Sequence, residues 1–504
     1  MSHRPVGRRL VLVLLAFTAI AFSCRPARAL REGKGATWDV TTKVGPDAQV
    51  PGWHINLGIT GARAKIPDDE PTVLEVTYVF KGTPADGRLQ VGDKIRGAGG
   101  RVFSTPHKFG YGVEKFGYEG PMMDFGNALE QSQRPQMAGR LVLGVVRDGK
   151  PTVVRLRLPT TYGAYSRTYP QACPKTERIL KELYAYLLEK QRPDGTWHGR
   201  PHINAFATLA LMASGDPAHM PAARKAVRFM AERTGAKLEY GGLTCWPYSL
   251  YGTVLAEYYL LTGEAWVWPE LKQINTWLAA AQAPKGGWGH RPWIEPGSDI
   301  PQGNGYGPFN VVTMQAKTAM SLMMRCGLDV DPRIYGAAHE FVARGTNHFG
   351  YVWYADGGAN NNKYADMGRT GAAALAHYLS PVGGTTYREY ALRAARCIGD
   401  HPKTFPDTHG SPILGMVWTA LGAGIDPPSF RQLMDHNRWC FSLAQCPDGT
   451  FYYQPNRDNN AQDYHAAPRL SATAATALIF SVPRKVLQMT GAPLRTRQPP
   501  PAAE

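Results

Sequence analysis

Asp366-Met-Gly-Arg369-Thr370 and Asp463-Tyr-His465 are the stretches best equipped for chemistry. A carboxylate beside an imidazole can relay a proton as general acid or base, and an arginine one helical turn from a carboxylate can clamp an anion. His202 and His409 stand in comparable positions elsewhere in the chain. Asp366, Arg369, His409, His465 and His202 are therefore the candidate catalytic groups. Asn204, Tyr248, Asn310, Asp463 and Arg469 are the candidate ligand-binding groups. Each alone has a plainer explanation, as a cap or a satisfied hydrogen bond; Ser411 before Pro412 is better placed as an N-cap than as a nucleophile. They gain meaning as a set, because all fall just before or inside the first turn of an apolar helix.

Those helices come from a change of period. From about residue 172 the apolar residues recur every 3.6 positions. Helices are expected over 174–191, 201–214, 219–234, 247–262, 266–282, 308–327, 332–345, 367–379, 384–400, 409–423, 427–444 and 469–485. They alternate in kind. In 174–191, Ile179, Leu183 and Leu187 form one apolar stripe, and Lys175, Lys181, Glu182 and Glu189 lie off it. By contrast, Ala205-Phe-Ala-Thr-Leu-Ala-Leu-Met212 and Leu470-Ser-Ala-Thr-Ala-Ala-Thr-Ala-Leu478 are apolar all round and need protein on every side. Wet and dry helices in alternation describe an outer ring around an inner one, an all-α (α/α)6 toroid of six helical-hairpin repeats. Pro201, Pro247, Pro308, Pro412 and Pro468 are expected to open inner helices, since proline suits the first helical position. Their N-termini would then share one mouth, with a potential that favours anions.

A phrase recurs at three outer-to-inner turns: Gln191-Arg-Pro-Asp-Gly195-Thr-Trp197, Gln282-Ala-Pro-Lys-Gly286-Gly-Trp288 and Gln445-Cys-Pro-Asp-Gly449-Thr-Phe451. It resembles the QW turn of the terpenoid-cyclase and protein-prenyltransferase toroids. In those families the phrase is structural, so the resemblance implies a fold and not a reaction. The D-x-D-D acid of squalene-type cyclases has no counterpart: Asp329-Val-Asp331 precedes Pro332 at the far end of an inner helix. Cys245, Asp366, His409 and His465 fall near the mouth, but their spacing fits no metal motif, and neither a metal nor a cofactor is assigned.

Residues 45–160 have the period of strands and turns. Thr72 to Phe80 is β-branched and aromatic, Asp124 to Ser132 fits a helix, and Gly139–Arg147 and Pro151–Leu158 flank an Asp-Gly hairpin turn. The Asn56-Leu-Gly-Ile59 loop, the Gly82-Thr-Pro-Ala segment running on to Asp93, and the final hairpin resemble a PDZ domain of bacterial exported proteases. That resemblance implies a groove for a peptide or protein C-terminus, its carboxylate held at Leu57, Gly58 and Ile59. Residues 103–122 are a long insertion that could cover the groove. No nucleophile motif of a protease accompanies it.

The N-terminus adds a basic stretch, the apolar run Val11–Phe22 and Ala27-Arg-Ala29, the pattern of a signal peptide over 1–29. An exported protein, periplasmic or extracellular, is expected; lipid anchoring at Cys24 is the lesser alternative. The formal net charge of +16, less the five arginines of this segment, leaves +11 spread along the chain. No run of basic residues interleaved with aromatics occurs, so nucleic acid is not an expected partner. No later segment has transmembrane length. Cys326 and Cys397 fit buried thiols, whereas Cys440 and Cys446 straddle a helix end and could pair. The tail from 489 is expected to be disordered. The expected function is binding, of a peptide end in the PDZ-like groove and of a polar or anionic small molecule or glycan in the toroid. The alternative is an enzyme working in the toroid mouth, a carbohydrate-active hydrolase or lyase ahead of a terpenoid cyclase.

Overall fold

The computed structural model describes residues 54–67, 69–108, 119–235, 243–293, 307–406, 408, 414–452, 454 and 467–500. The proposed signal peptide, His409, Ser411, Pro412, Asp463, His465 and half of the 103–122 insertion (109–118) lie outside the described residues.

The N-terminal part is an antiparallel sheet with one helix. Strands β1 (Ile55–Asn56), β2 (Ala62–Lys65), β3 (Leu74–Val79), β4 (Lys94–Ala98), β6 (Arg140–Arg147) and β7 (Lys150–Arg157) lie in that order, and β5 (Arg101–Val102) pairs with β4. Helix α1 (Pro121–Ser132) packs on β4 and β6. The β6–β7 turn is Asp148-Gly149, both residues at positive φ (51° and 74°), which matches the twist of the strands it joins.

The helical part follows: α2 (Pro174–Lys190), α3 (Pro201–Ala213), α4 (Met220–Ala231), α5 (Cys245–Thr262), α6 (Trp268–Ala281), α7 (Asn310–Arg325), α8 (Pro332–Arg344), α9 (Gly368–Leu379), α10 (Gly384–Asp400), α11 (Gly415–Ala423), α12 (Pro427–His436), α13 (Arg438–Ala444) and α14 (Pro468–Ser481). The apolar helices α3, α5, α7, α9, α11 and α14 pack side by side in that order, and α14 packs back on α3. The amphipathic helices lie outside them: α4 against α3 and α5, α6 against α5 and α7, α10 against α9 and α11, and α2 against α14 and α3. Small residues set the spacing. A Cβ on Gly371 of α9 would stand 2.1 Å from the Trp418 carbonyl of α11, so these two backbones touch. Phe206 of α3 and Trp418, both fully buried, meet edge to face across the interior, with ring centroids 6.4 Å apart.

The repeated phrase fastens this ring. Its glycine sits at φ near +90° (Gly195 91°, Gly286 95°, Gly449 86°), where L-residues are strained. A Cβ on Gly195 would lie 2.6 Å from Lys225 O of the next outer helix, and one on Gly286 would collide with Ala337 O in the same way. Gly449 faces Glu182 of α2, which closes the circle. In the first two copies the glutamine ties its own turn to the next helix: Gln191 Nε2 donates to Gly195 O and Ala222 O, and Gln282 Nε2 to Gly286 O and Ile334 O. The indole reaches back, Trp197 Nε1 to Leu187 O and Trp288 Nε1 to Leu278 O. A fourth copy escaped sequence reading. Thr346-Asn-His-Phe-Gly350-Tyr-Val352 keeps only the glycine, at φ 92° against the Arg393 backbone, yet Thr346 bridges Val352 as Gln445 bridges Phe451.

Several expectations are corrected. Pro201 and Pro468 open α3 and α14, but α5 begins two residues before Pro247 and α7 two residues after Pro308. The expected helix over 427–444 is two helices, because Asn437 leaves helical geometry and its Nδ2 bonds Leu433 O and Pro402 O, both at 2.8 Å. The expected disordered tail runs in contact with the ring to residue 500: Met489 N donates to buried Glu257, Arg497 N to Arg325 O, and Pro499 covers Gly327. The six described cysteines are free and buried, so Cys440 and Cys446 do not pair.

The peptide groove is also corrected, because the chain itself fills it. Leu57 and Ile59 are buried, a Cβ on Gly58 would stand 2.6 Å from Ser442 O, and Asn56 Nδ2 donates to Leu443 O, Ala444 O and Gln445 O at 2.8–3.2 Å. The carbonyl end of α13 therefore occupies the place the resemblance gave to a peptide carboxylate. Helix α1 closes the other side, with Gly126 against Trp439 O. Lys175, expected on the wet face of α2, is instead buried at this seam. It pairs with Glu130 of α1 at 2.6 Å, and Glu130 also accepts from Tyr165 N and Ser442 Oγ.

Candidate active site at the mouth of the ring

The turns do more than close the ring, because each is latched to the start of the inner helix after it. Asn204 Oδ1 accepts from Trp197 N and His198 N while its Nδ2 donates to His198 O. Thr313, Thr370 and Thr473 hydroxyls accept from Trp288 N, Val352 N and Phe451 N. Asn204 thus positions a turn, and the equivalent threonines could be found from sequence only by their place after each phrase.

Asp366 and Arg369 come together, Nη1 to Oδ2 at 2.6 Å, both buried. Arg369 also donates to Ala365 O, Val352 O and Tyr351 Oη. One guanidinium therefore pins both ends of the 351–366 loop. Within this loop Tyr364 and Asp366 both have positive φ (50° and 55°), conformations that cost about 1–3 kcal/mol each and persist where surroundings enforce them.

The pinned loop carries aromatic rings. Arg369 lies 5.6 Å from the Trp353 ring and 5.8 Å from that of Tyr354. Tyr354 stacks parallel to Phe309, with centroids 5.4 Å apart and planes 1° apart. Phe309 meets His290 at 4.8 Å and Trp246 at 6.2 Å, and Trp246 Nε1 donates to His290 Nδ1 at 2.9 Å. Phe309 is buried beneath, whereas Trp246, His290, Trp353 and Tyr354 keep exposed edges. The result is an aromatic wall across the N-terminal ends of α5, α7 and α9, ending in the Asp366–Arg369 pair. The sequence reading missed this wall, whose members stand far apart in the chain.

The remaining candidates are dispersed. His202, in the first turn of α3, has a buried Nε2 with no partner among the described residues; burial, with Arg200 and His198 nearby, pushes its pKa down to about 3, so the ring is neutral at pH 7. Tyr248 stacks on Trp277 at 3.8 Å and its hydroxyl bonds Gly235, a packing role. Asn310 Nδ2 holds Trp353 O and Ala355 O, and so braces the aromatic loop. Arg469 is buried and bonded to Asp448 and Thr450 of the last turn. Among the described residues no three His, Cys, Asp or Glu side chains gather to hold a metal.

Residues 176–491 match the model of a family described as Domain of unknown function (DUF6288). The chain belongs to that family. The DUF6288 region covers the helical ring and the start of the C-terminal segment packed on it. No curated protein matches the chain. Among solved structures, a type II terpene cyclase from Scytonema is 13% identical, over 61% of this chain and 99% of that one, with a TM-score of 0.41. An α-1,6-mannanase of Salegentibacter sp. is 14% identical over 62% and 99%, TM-score 0.41. Cellobiose 2-epimerase from Bacillus thermoamylovorans is 12% identical over 61% and 98%, TM-score 0.40.

Proposed function

We propose that the mouth of the ring is a glycan site and that the chain is a carbohydrate-active enzyme of the hydrolase or lyase type. The observation that carries the proposal is the wall of Trp246, His290, Phe309 and Tyr354 ending in the Asp366–Arg369 pair. Partly exposed aromatic faces beside fixed polar groups suit a ligand that is apolar on its ring faces and polar at its edges, as a sugar is. Acid–base chemistry falls to Asp366 with His409, Asp463 and His465, which precede inner helices in sequence. His202 supplies a neutral imidazole. Arg369 acts by positioning, since its donors hold the loop. The contact of Phe206 with Trp418 fills the interior below the mouth and speaks against a deep isoprenoid chamber.

The finer architecture belongs to the same proposal: six helical-hairpin repeats over 172–488, a PDZ-like sheet over 45–160, and export directed by residues 1–29. The test is titration of the full chain with neutral, acidic and amino oligosaccharides, with chromatography for shortened or unsaturated products. Trp246→Ala and Tyr354→Ala should each weaken binding about tenfold, the loss expected of a central aromatic anchor. If folded variants bind as tightly as the unmodified chain, the wall is not the site. If no oligosaccharide binds, the glycan reading fails.

A further inference from the structure

A second cleft, about 630 Å³ in volume, opens away from the mouth, where the end of α1, the 164–167 linker, α12 and α13 converge. Arg134, Arg167, Arg431 and Arg438 line it together with Tyr165 and Ser166. Among the described residues no carboxylate lines it. Asp435 lies behind two of the guanidiniums, accepting from Arg431 Nε at 2.5 Å and from Arg438 Nε and Nη2 at 3.0 and 2.5 Å. Backbone carbonyls complete the frame: Arg438 donates to Ser166 O and Tyr165 O, and Arg431 to Arg167 O. Both are thereby held in place on a fixed carboxylate. Arg134 and Arg167 are exposed and make no side-chain hydrogen bond or ion pair among the described residues.

Among the described residues, four guanidiniums against one carboxylate leave three uncompensated positive charges in one cleft. On an open surface water would screen them, but a concave wall brings their donors to a common volume, where like charges repel unless an anion joins them. Guanidinium forks match the geometry of phosphate and sulfate oxygens and bind them in pairs. Two arginines locked from behind and two unengaged ones give a preformed floor with adaptable walls.

We propose that this cleft binds an oligoanion carrying two or more clustered phosphate or sulfate groups. The site lies outside the glycan mouth and does not depend on that reading. Because its walls come from both the N-terminal part and the helical ring, an occupant bridges them, and binding raises the melting temperature of the whole chain. The test is calorimetric titration of the full chain at low ionic strength with inorganic pyrophosphate and, separately, with a sulfated disaccharide. A melting curve accompanies each. Two variants are compared: Arg134→Ser with Arg167→Ser in the cleft, and Arg155→Ser with Arg157→Ser on the exposed face of β7 as a control of equal charge. One-to-one binding weakened about tenfold or more by the cleft pair and unaffected by the β7 pair supports the proposal. The two probes show whether phosphoryl or sulfate-ester ligands are preferred. Equal weakening by both pairs, binding without a defined stoichiometry, or no saturable binding of either probe overturns it.

Discussion

Lys317 sits in the middle of α7 with no exposed surface, and its amino group makes no hydrogen bond to any described residue. The Tyr335 ring lies 3.5 Å away and the Tyr387 ring 4.4 Å away. His339 and His377, hydrogen-bonded to each other at 3.0 Å, complete the surroundings. Burial holds the lysine well below its ordinary pKa. In the unfolded chain Lys317 titrates near the reference value of about 10.4, so folding at lower pH must strip its proton. The native state then binds fewer protons than the unfolded one, and stability rises with pH towards the unfolded pKa. At about 1.4 kcal/mol per pH unit, stripping the proton costs about 3 kcal/mol at pH 8 and about 1 kcal/mol at pH 9.5. Lys317→Met keeps the length of the side chain and removes the titration. It should therefore be more stable than the unmodified chain by about those amounts, the gap closing as pH rises. The histidines do not confuse the slope: burial lowers His339 to about 4 and His377 further below its usual range, so both stay neutral throughout. Denaturant unfolding of both chains between pH 7.5 and 9.5, about the range where the slope acts, is the assay. A gap that does not change with pH means that Lys317 stays charged inside the fold, and a less stable methionine variant means that the tyrosine rings hold the ammonium favourably.

Gly350 carries the fourth turn, so Gly350→Ala should destabilise by at least about 1–2 kcal/mol through its left-handed backbone, with crowding against α10 in addition; unchanged denaturant stability would remove this turn from the fastening set. Glu130→Gln leaves Lys175 buried without a carboxylate and should cost about 3–5 kcal/mol, whereas Glu130→Gln combined with Lys175→Met should recover most of it; a double variant no better than the single would refute the ion-pair account.

How far the residues announced this structure depends on what kind of information each contact needs. The alternation of wet and dry helices is local, and it located most of the ring helices closely, though not the start of α11 or the break between α12 and α13. Two of the three Q-x-P-x-G phrases marked their turns because glutamine, glycine and tryptophan each do a separate job there; in the third, Phe451 replaces the indole and Gln445 Nε2 has no hydrogen-bond partner among the described residues. The fourth turn was illegible because Thr346 and Val352 bridge through backbone atoms that any residue possesses. Asp366 and Arg369 were legible as one chemically equipped stretch but not as an ion pair, since the arginine was expected to clamp an anionic ligand. The aromatic wall was not, since Trp246, His290, Phe309 and Tyr354 meet only when α5, α7 and α9 lie side by side. Lys175 was misjudged because a lysine in sequence implies water, and only tertiary structure can supply Glu130 to it, as it supplies two tyrosine faces to Lys317.

The seam between sheet and ring shows why resemblance alone misplaced the first binding site. α13 is a seven-residue helix, too short to hold its shape in isolation. Its last carbonyls lack partners within the helix and carry the negative end of its dipole. Asn56 satisfies three of these carbonyls, and the Leu57–Ile59 loop covers them. A loop suited to a carboxylate is equally suited to the carbonyl end of a helix, because both present clustered oxygen acceptors to a closely approaching backbone. A peptide end could enter only by displacing α13. That would strip the cap from these carbonyls and part Ser442 from Glu130, beside the buried Lys175, at a cost of several kcal/mol before any new contact formed. A soluble peptide at ordinary micromolar affinity gains only about 8 kcal/mol in all, and most of that would be consumed by the displacement. The loop is therefore engaged in holding α13, and with it the last turn of the ring, in place.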